Sequence, residues 1–210
     1  GDFKLEDQGV EQPGVERRLA AILASDVVGY SRLMEADEVG TLARLRTVRQ
    51  DLMDPALATC KGRVITTTGD GILVEFQSVT EAVRCAADFQ RSMALRGDGA
   101  SGGLLYRIGI NLGDVIVEND DIFGDGVNVA ARLESIAEPG GICVSAAVRE
   151  QVGDRLDVGF EDLGEHTVKN ISRPIRVFRV LLDGRQTGTA AASGAAQLKP
   201  TPMRVPSIAV

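Results

Sequence analysis

Tryptophan is absent from this 210-residue chain, and aromatic residues make up only 4% of it. The core must therefore be built mainly from Val, Ile, Leu and Ala. One histidine, His166, leaves a Ser-His-Asp relay or a multi-histidine metal site without support. Cys60, Cys85 and Cys143 lie far apart and form no CxxC pair. That argues against a disulfide framework or zinc knuckle and fits small apolar residues in a reducing, cytoplasmic compartment. No apolar run approaches the roughly 20 residues of a membrane span. The start is acidic, unlike the basic-then-apolar pattern of a secretory signal. Positive charge is also short: Lys and Arg number 23 against 30 Asp and Glu, a net charge of −7. A nucleic-acid partner is disfavoured on that ground. A small anionic ligand is not, because metals and a few placed cations reverse a local field.

Three regions follow from composition. Residues 1–16 carry scattered acids with Gly9, Pro13 and Gly14 and show no period, so they read as a linker or tag. Residues 17–183 alternate between strand and helix patterns. Residues 184–210 are a Gly-, Ala- and Pro-rich tether, flexible and then stiffer, ending in an apolar stub after Pro206 that we expect to open a further module.

Within the middle region, residues 19–25 form a short apolar run, as in a buried strand. Residues 37–53 follow a helical period through Leu42, Leu45, Val48 and Leu52, and Pro55 is expected to end it. Residues 63–68 and 72–76 are β-rich runs around Gly69-Asp70-Gly71, a hairpin. Val79, Val83, Ala86, Phe89 and Met93 mark the inner stripe of a second helix. Tyr106, Ile108, Ile110 and Leu112 alternate with Arg107, Gly109, Asn111 and Gly113. That strand has one packed face and one glycine-lined face that something must approach closely, a helix or a partner chain. A helix over 127–136, a strand over 142–144, a helix over 146–152 and strands over 158–163 and 175–182 complete an α+β domain: a mostly antiparallel sheet covered by helices.

Three segments draw chemical interest. Asp26 ends an apolar strand just before Val27-Val28-Gly29-Tyr30-Ser31 turns toward a helix, a geometry that suits phosphate. Alone, it reads more simply as a helix cap. Asp70 sits at the hairpin tip, where Asp-Gly is an ordinary turn pair. Together, one acid at a strand end and one at a hairpin tip can share a sheet edge. Two carboxylates without histidine suit Mg2+ rather than zinc. In Asp121-Ile-Phe-Gly-Asp-Gly-Val-Asn-Val-Ala-Ala-Arg132, Asn128 and Arg132 share a helix face at i, i+4. Arg offers phosphate a planar fork, and Asn adds a neutral donor. Singly, a surface amide and a salt-bridged arginine are commoner. Glu134, Glu138 and His166 read as solvated surface and Asp125 as a loop residue.

Leu23-Ala-Ser-Asp-Val-Val-Gly-Tyr-Ser31, Thr68-Gly-Asp70 and the segment from Asp121 to Arg132 resemble, in order, the three signatures of class III adenylyl/guanylyl cyclase catalytic domains. The resemblance runs from about Arg17 to Leu182 and is nearest to bacterial members with further C-terminal modules. It implies a ferredoxin-like α+β fold working as a head-to-tail homodimer with shared active sites. It assigns two Mg2+ or Mn2+ ions per site to Asp26, Asp70 and the carbonyl of Val27. It assigns the β- and γ-phosphates to Val28, Gly29, Tyr30 and Ser31. From the other subunit come Asn128 and Arg132, which orient the ribose and stabilise the pentavalent transition state. Lys169 resembles, more loosely, the lysine that pairs with the terminal phosphates. The implied reaction is attack of the ribose 3′-oxygen of ATP on the α-phosphorus, with loss of pyrophosphate, for intracellular signalling.

One position departs from the family. Adenylyl cyclases read adenine with a lysine four residues before the second metal aspartate, and here that residue is Thr66. The companion base-reading position is Asp121, which tilts the substrate toward ATP over GTP. We expect weak base selection, low turnover, or both. A catalytically silent, dimerising or nucleotide-sensing module is the alternative. A diguanylate cyclase is weaker still, because its Gly-Gly-Asp/Glu-Glu-Phe hairpin is absent.

Overall fold

Strand β1 (Glu16–Val27) is buried on both faces over most of its length, which is why its sequence runs as unbroken small and branched apolar residues rather than alternating. The computed structural model describes residues 16–101, 103–118, 121–167 and 174–183. The expected linker and tether thus lie outside the described residues, except that Glu16 opens β1.

After β1 come α1 (Tyr30–Ala36), α2 (Glu38–Val48), a π-helical turn (Arg49–Met53) and α3 (Asp54–Thr59). The hairpin β2 (Arg63–Thr68) and β3 (Gly71–Phe76) leads into the long α4 (Val79–Ser101). Then follow β4 (Tyr106–Glu118), β5 (Asp121–Phe123), α5 (Asp125–Ile136), β6 (Ile142–Ser145), α6 (Ala146–Val152), β7 (Gly159–His166) and β8 (Ile175–Leu181). The sheet order is β2-β3-β1-β4-β6-β8-β7, with β5 paired to the far end of β4. The β4–β6 pair is parallel and the other described pairs are antiparallel. The mostly antiparallel α+β architecture expected from sequence is the one observed.

One helical expectation is corrected. Pro55 does not end the segment; it sits in the first turn of α3, where its missing N–H would have no helical partner anyway. The π-helical turn joins α2 directly to α3. At the other end of α2, the Asp37 side chain accepts from Gly40 N at 2.9 Å and caps the helix.

The two faces of the sheet have different covers. Ala21, Leu23 and Val27 of β1, Ile72, Val74 and Phe76 of β3, and Tyr106, Ile108 and Ile110 of β4 form one core with the inner stripe of α4 and with Val148 and Val152 of α6. Ala20, Ile22 and Ala24 point to the opposite face, where they pack with Val115, Ile122 and Ala130 of α5. All three cysteines are buried and free, as expected. Gly109 explains how closely α5 sits: a Cβ there would stand 2.1 Å from the Glu134 nitrogen and 2.2 Å from the Ala130 carbonyl oxygen. The glycine-lined face of β4 is therefore the bed of α5. Among the described residues, no helix is long and apolar enough to cross a membrane.

Candidate active site

Strand pairing alone brings the two candidate acids to one edge. The β1–β3 pairing ends at Ser25↔Ile72, so Asp26 lies one residue past it and Asp70 two residues before it. Across the other side of β1, Asp26 is paired directly with Arg107 of β4. Side chains of such a cross-strand pair lie on the same face. Arg107 Nε donates to Asp26 Oδ1 at 3.0 Å, and a second guanidinium nitrogen donates to Oδ2. The same arm of Arg107 reaches Glu134 Oε1 of α5 at 3.5 Å.

These groups perturb one another. Hydrogen bonding to Asp26 is the largest influence on Arg107 and holds its pKa above the usual guanidinium value; the charges of Asp26, Glu134 and Asp70 add to it. Burial, then the charge and hydrogen bond of Asp26, push the Glu134 carboxyl up to about 7, with Asp70 contributing at longer range. Asp70 therefore belongs to the same electrostatic neighbourhood as Asp26. The outcome is a contact cluster of two carboxylates, Asp26 and Glu134, bridged by one guanidinium, with Asp70 at the hairpin tip near enough to be felt electrostatically. Among the described residues, no three His, Cys, Asp or Glu side chains gather as a ready-made metal cage. The oxygen donors gathered here, carboxylates without histidine or cysteine, suit Mg2+ or Mn2+ rather than zinc. The excess negative charge of the cluster favours such a cation.

The loop expected to face phosphate lies beside this cluster. Val27 is buried, and Val28 N donates to Leu105 O at 2.8 Å. Gly29 takes a left-handed backbone with φ of 69°, which a side chain would strain. Tyr30 touches the hairpin: a Cβ on Gly69 would stand 3.2 Å from its hydroxyl. Ser31 is exposed in the first turn of α1.

The remaining candidates fall elsewhere. Thr66 is exposed on β2 and Asp121 half-buried on β5. The two strands meet where Ile65 and Ile122 pack in one cluster. Asp121 Oδ1 accepts from Ile122 N at 2.9 Å. Asn128 and Arg132 are exposed on α5. Two residues along a helix turn about 200°, so Arg132 and Glu134 point to nearly opposite sides. The chain thus sets Asp26 at the end of β1 and Asp70 at the neighbouring hairpin tip, and presents Asn128 and Arg132 on the exposed surface of α5. Lys169 lies outside the described residues.

Two readings of the sequence are revised. Glu134 is no solvated surface residue: its side chain is only 14% exposed and faces Asp26 and Arg107. Asp125 opens α5 rather than lying in a loop. Sequence reasoning also passed over Arg107. The signal was there, since alternation puts this cation on the same face of β4 as Gly109.

An α+β sheet with paired acids at a strand end and a hairpin tip defines a class, and the sequence comparisons name it. The chain belongs to the adenylate and guanylate cyclase catalytic domain family, whose model matches residues 16–181. A Rhizobium meliloti protein provisionally named adenylate cyclase 3 is 49% identical over 78% of this chain, which covers 28% of that relative. An adenylate cyclase of Streptomyces coelicolor is 35% identical over 69% of this chain and 36% of its own length. The chain thus spans well under half of these two relatives. The crystal structure of an adenylate/guanylate cyclase/hydrolase from Silicibacter pomeroyi superposes with a TM-score of 0.75 at 50% identity, covering 80% of this chain and 99% of that one. The adenylyl cyclase CyaB from P. aeruginosa gives a TM-score of 0.71 at 25% identity, covering 80% of this chain and 96% of that one.

Proposed function

We propose that the chain is the catalytic domain of an adenylate cyclase that converts ATP to 3′,5′-cyclic AMP and pyrophosphate, with active sites shared across a head-to-tail homodimer. The observation that carries this reading is the placing of Asp26 at the end of β1 next to the Asp70 hairpin, beside a contact cluster in which two carboxylates share one guanidinium. The relatives named adenylate cyclase support the choice of ATP, and Asp121 is a fitting acceptor for the 6-amino group of adenine.

Asp26, Asp70 and the Val27 carbonyl would hold the divalent cations. When bound, these ions lower the pKa of the attacking 3′-hydroxyl and neutralise the departing pyrophosphate. The chain's own groups do the rest. Residues 28–31 offer backbone and hydroxyl donors to the β- and γ-phosphates. Asn128 and Arg132, exposed on α5, serve the site of a second copy: Asn128 orients the ribose and Arg132 balances charge in the transition state. Lys169 is assigned to the terminal phosphates through the family resemblance. Arg107, once released from Asp26, adds positive charge within the same cleft. No protein nucleophile or histidine base is required. Removing one such transition-state donor usually lowers the rate about a hundredfold.

The test is product analysis with ATP and with GTP in the presence of Mn2+, for the native chain and for Asp26→Ala. Cyclic AMP from the native chain and its loss in Asp26→Ala is the expected result. Cyclic product that survives Asp26→Ala defeats the metal assignment. Nucleotide binding without any cyclic product, at concentrations that favour dimers, would support a silent nucleotide-sensing module instead, the reading that Thr66 motivates.

A further inference from the structure

Arg107 engages both oxygens of Asp26, the acid that the proposed metal needs. A cation can take that carboxylate only if the guanidinium lets go of it. Arg107 is only partly exposed, and losing its carboxylate partner with no other acceptor in reach would oppose metal entry. A second acceptor already stands in place. Glu134 Oε1 lies 3.5 Å from the arm of Arg107 that holds Asp26. Glu134 cannot drift off, because α5 rests on Gly109 with its backbone against the strand. Nor does Glu134 join Asp26 and Asp70 as a third member of a metal cage.

We propose that Glu134 is a positioning residue that takes over the Arg107 guanidinium when Asp26 turns to a divalent cation. This keeps Arg107 inside the cleft without competing for the metal ligand. The inference rests on the metal reading above and extends it to how the nucleotide-free site exchanges one cation for another. It explains why an acid is buried on the inner side of α5 beside another acid, where like charges would otherwise be unfavourable.

The test is direct Mn2+ binding by electron paramagnetic resonance, without nucleotide, so that turnover plays no part. Glu134→Gln should weaken Mn2+ binding about tenfold, the range for partners that orient a metal ligand. Glu134→Asp, which keeps the charge with a shorter reach, should recover part of the loss. Arg107→Met should bind Mn2+ at least as tightly as the native chain, because the competing guanidinium is gone. In Arg107→Met, adding Glu134→Gln should change affinity less than about twofold. An undiminished Glu134→Gln effect in that background means that Glu134 acts on the metal itself and overturns the proposal. Native affinity in Glu134→Gln, or weaker binding in Arg107→Met, overturns it too. Mn2+ binding that Asp26→Asn leaves unchanged would instead overturn the metal reading, and this inference with it. Unfolding temperatures of the variants separate loss of fold from loss of affinity.

Discussion

Gly109 and Glu134 mark a close approach of strand and helix backbones: a Cβ on the glycine would sit 2.1 Å from the Glu134 nitrogen. Neither backbone can give way locally, since Gly109 lies in the middle of β4, paired on one side with Ala24 and on the other with Cys143. Gly109→Ala should therefore push α5 off the sheet. We expect a loss of about 3 kcal/mol, or roughly 6 to 12 °C in unfolding temperature. Gly140→Ala is the control. That glycine has φ of 76° but nothing within 4 Å of a new Cβ. Only the left-handed backbone opposes it, at about 1 kcal/mol. Equal unfolding temperatures for the two variants would contradict this account of the close approach.

The outward display of Asn128 and Arg132 has a consequence for mixtures. Asp26→Ala and Arg132→Ala should each be nearly inactive alone. Mixed in equal amounts, they should recover about a quarter of native activity, because random pairing makes half the dimers mixed and each of those holds one intact site. Activity assays over a range of mixing ratios read this directly. A mixture as inactive as its parts would mean that each chain builds its site alone.

Base selection should respond to residue 66. Thr66 is exposed on β2, and its hydroxyl is too short and neutral to stand in for the family lysine. Thr66→Lys should raise the ratio of kcat/KM for ATP over GTP by about tenfold, a modest effect typical of one added polar contact. Initial-rate measurements with both nucleotides check it. A native GTP rate equal to or above the ATP rate would overturn the assignment of ATP.

Stability should fall in acid through Glu75. This carboxylate is buried on β3 and is gripped by Arg18 of β1 and by Arg63 of β2, whose Nη2 donates at 2.8 Å. Burial alone would raise its pKa, but the hydrogen bonds from Arg18 and Arg63 outweigh that and hold it below the usual carboxylate range. A depressed folded pKa stabilises the protein above the unfolded value of about 4.3 and loses that contribution as pH drops through the folded value. Glu75→Gln should cost about 2 kcal/mol at pH 7, less than a fully enclosed pair because both arginines can reach water. The gap between native and variant unfolding temperatures should narrow below about pH 4. Thermal unfolding of both proteins at pH 7 and pH 3 measures it; a gap that widens in acid would reverse the sign argued here.

Local pattern was enough to establish much of this protein. The helical stripe from Val79 to Met93, the hairpin around Asp70 and the alternation from Tyr106 to Leu112 were legible because burial imposes periods of 3.6 and 2 on the sequence. Asp26, Asp70, Asn128 and Arg132 were legible as candidates because each stands in a motif of fixed spacing. The continuation of the helix past Pro55 was not, since a proline in the first turn of α3 looks the same in sequence as one that ends α2. Nor was the partnership of Asp26 with Arg107 and Glu134, which lie 81 and 108 positions further along the chain. Sequence spacing carries no information on contacts of that range. The β1–β4 register set Arg107 opposite Asp26, and the missing side chain of Gly109 let α5 settle close enough to bury an acid beside them. The sequence by itself determined which groups were available for chemistry; only the packing of helix on sheet decided which of them share one field.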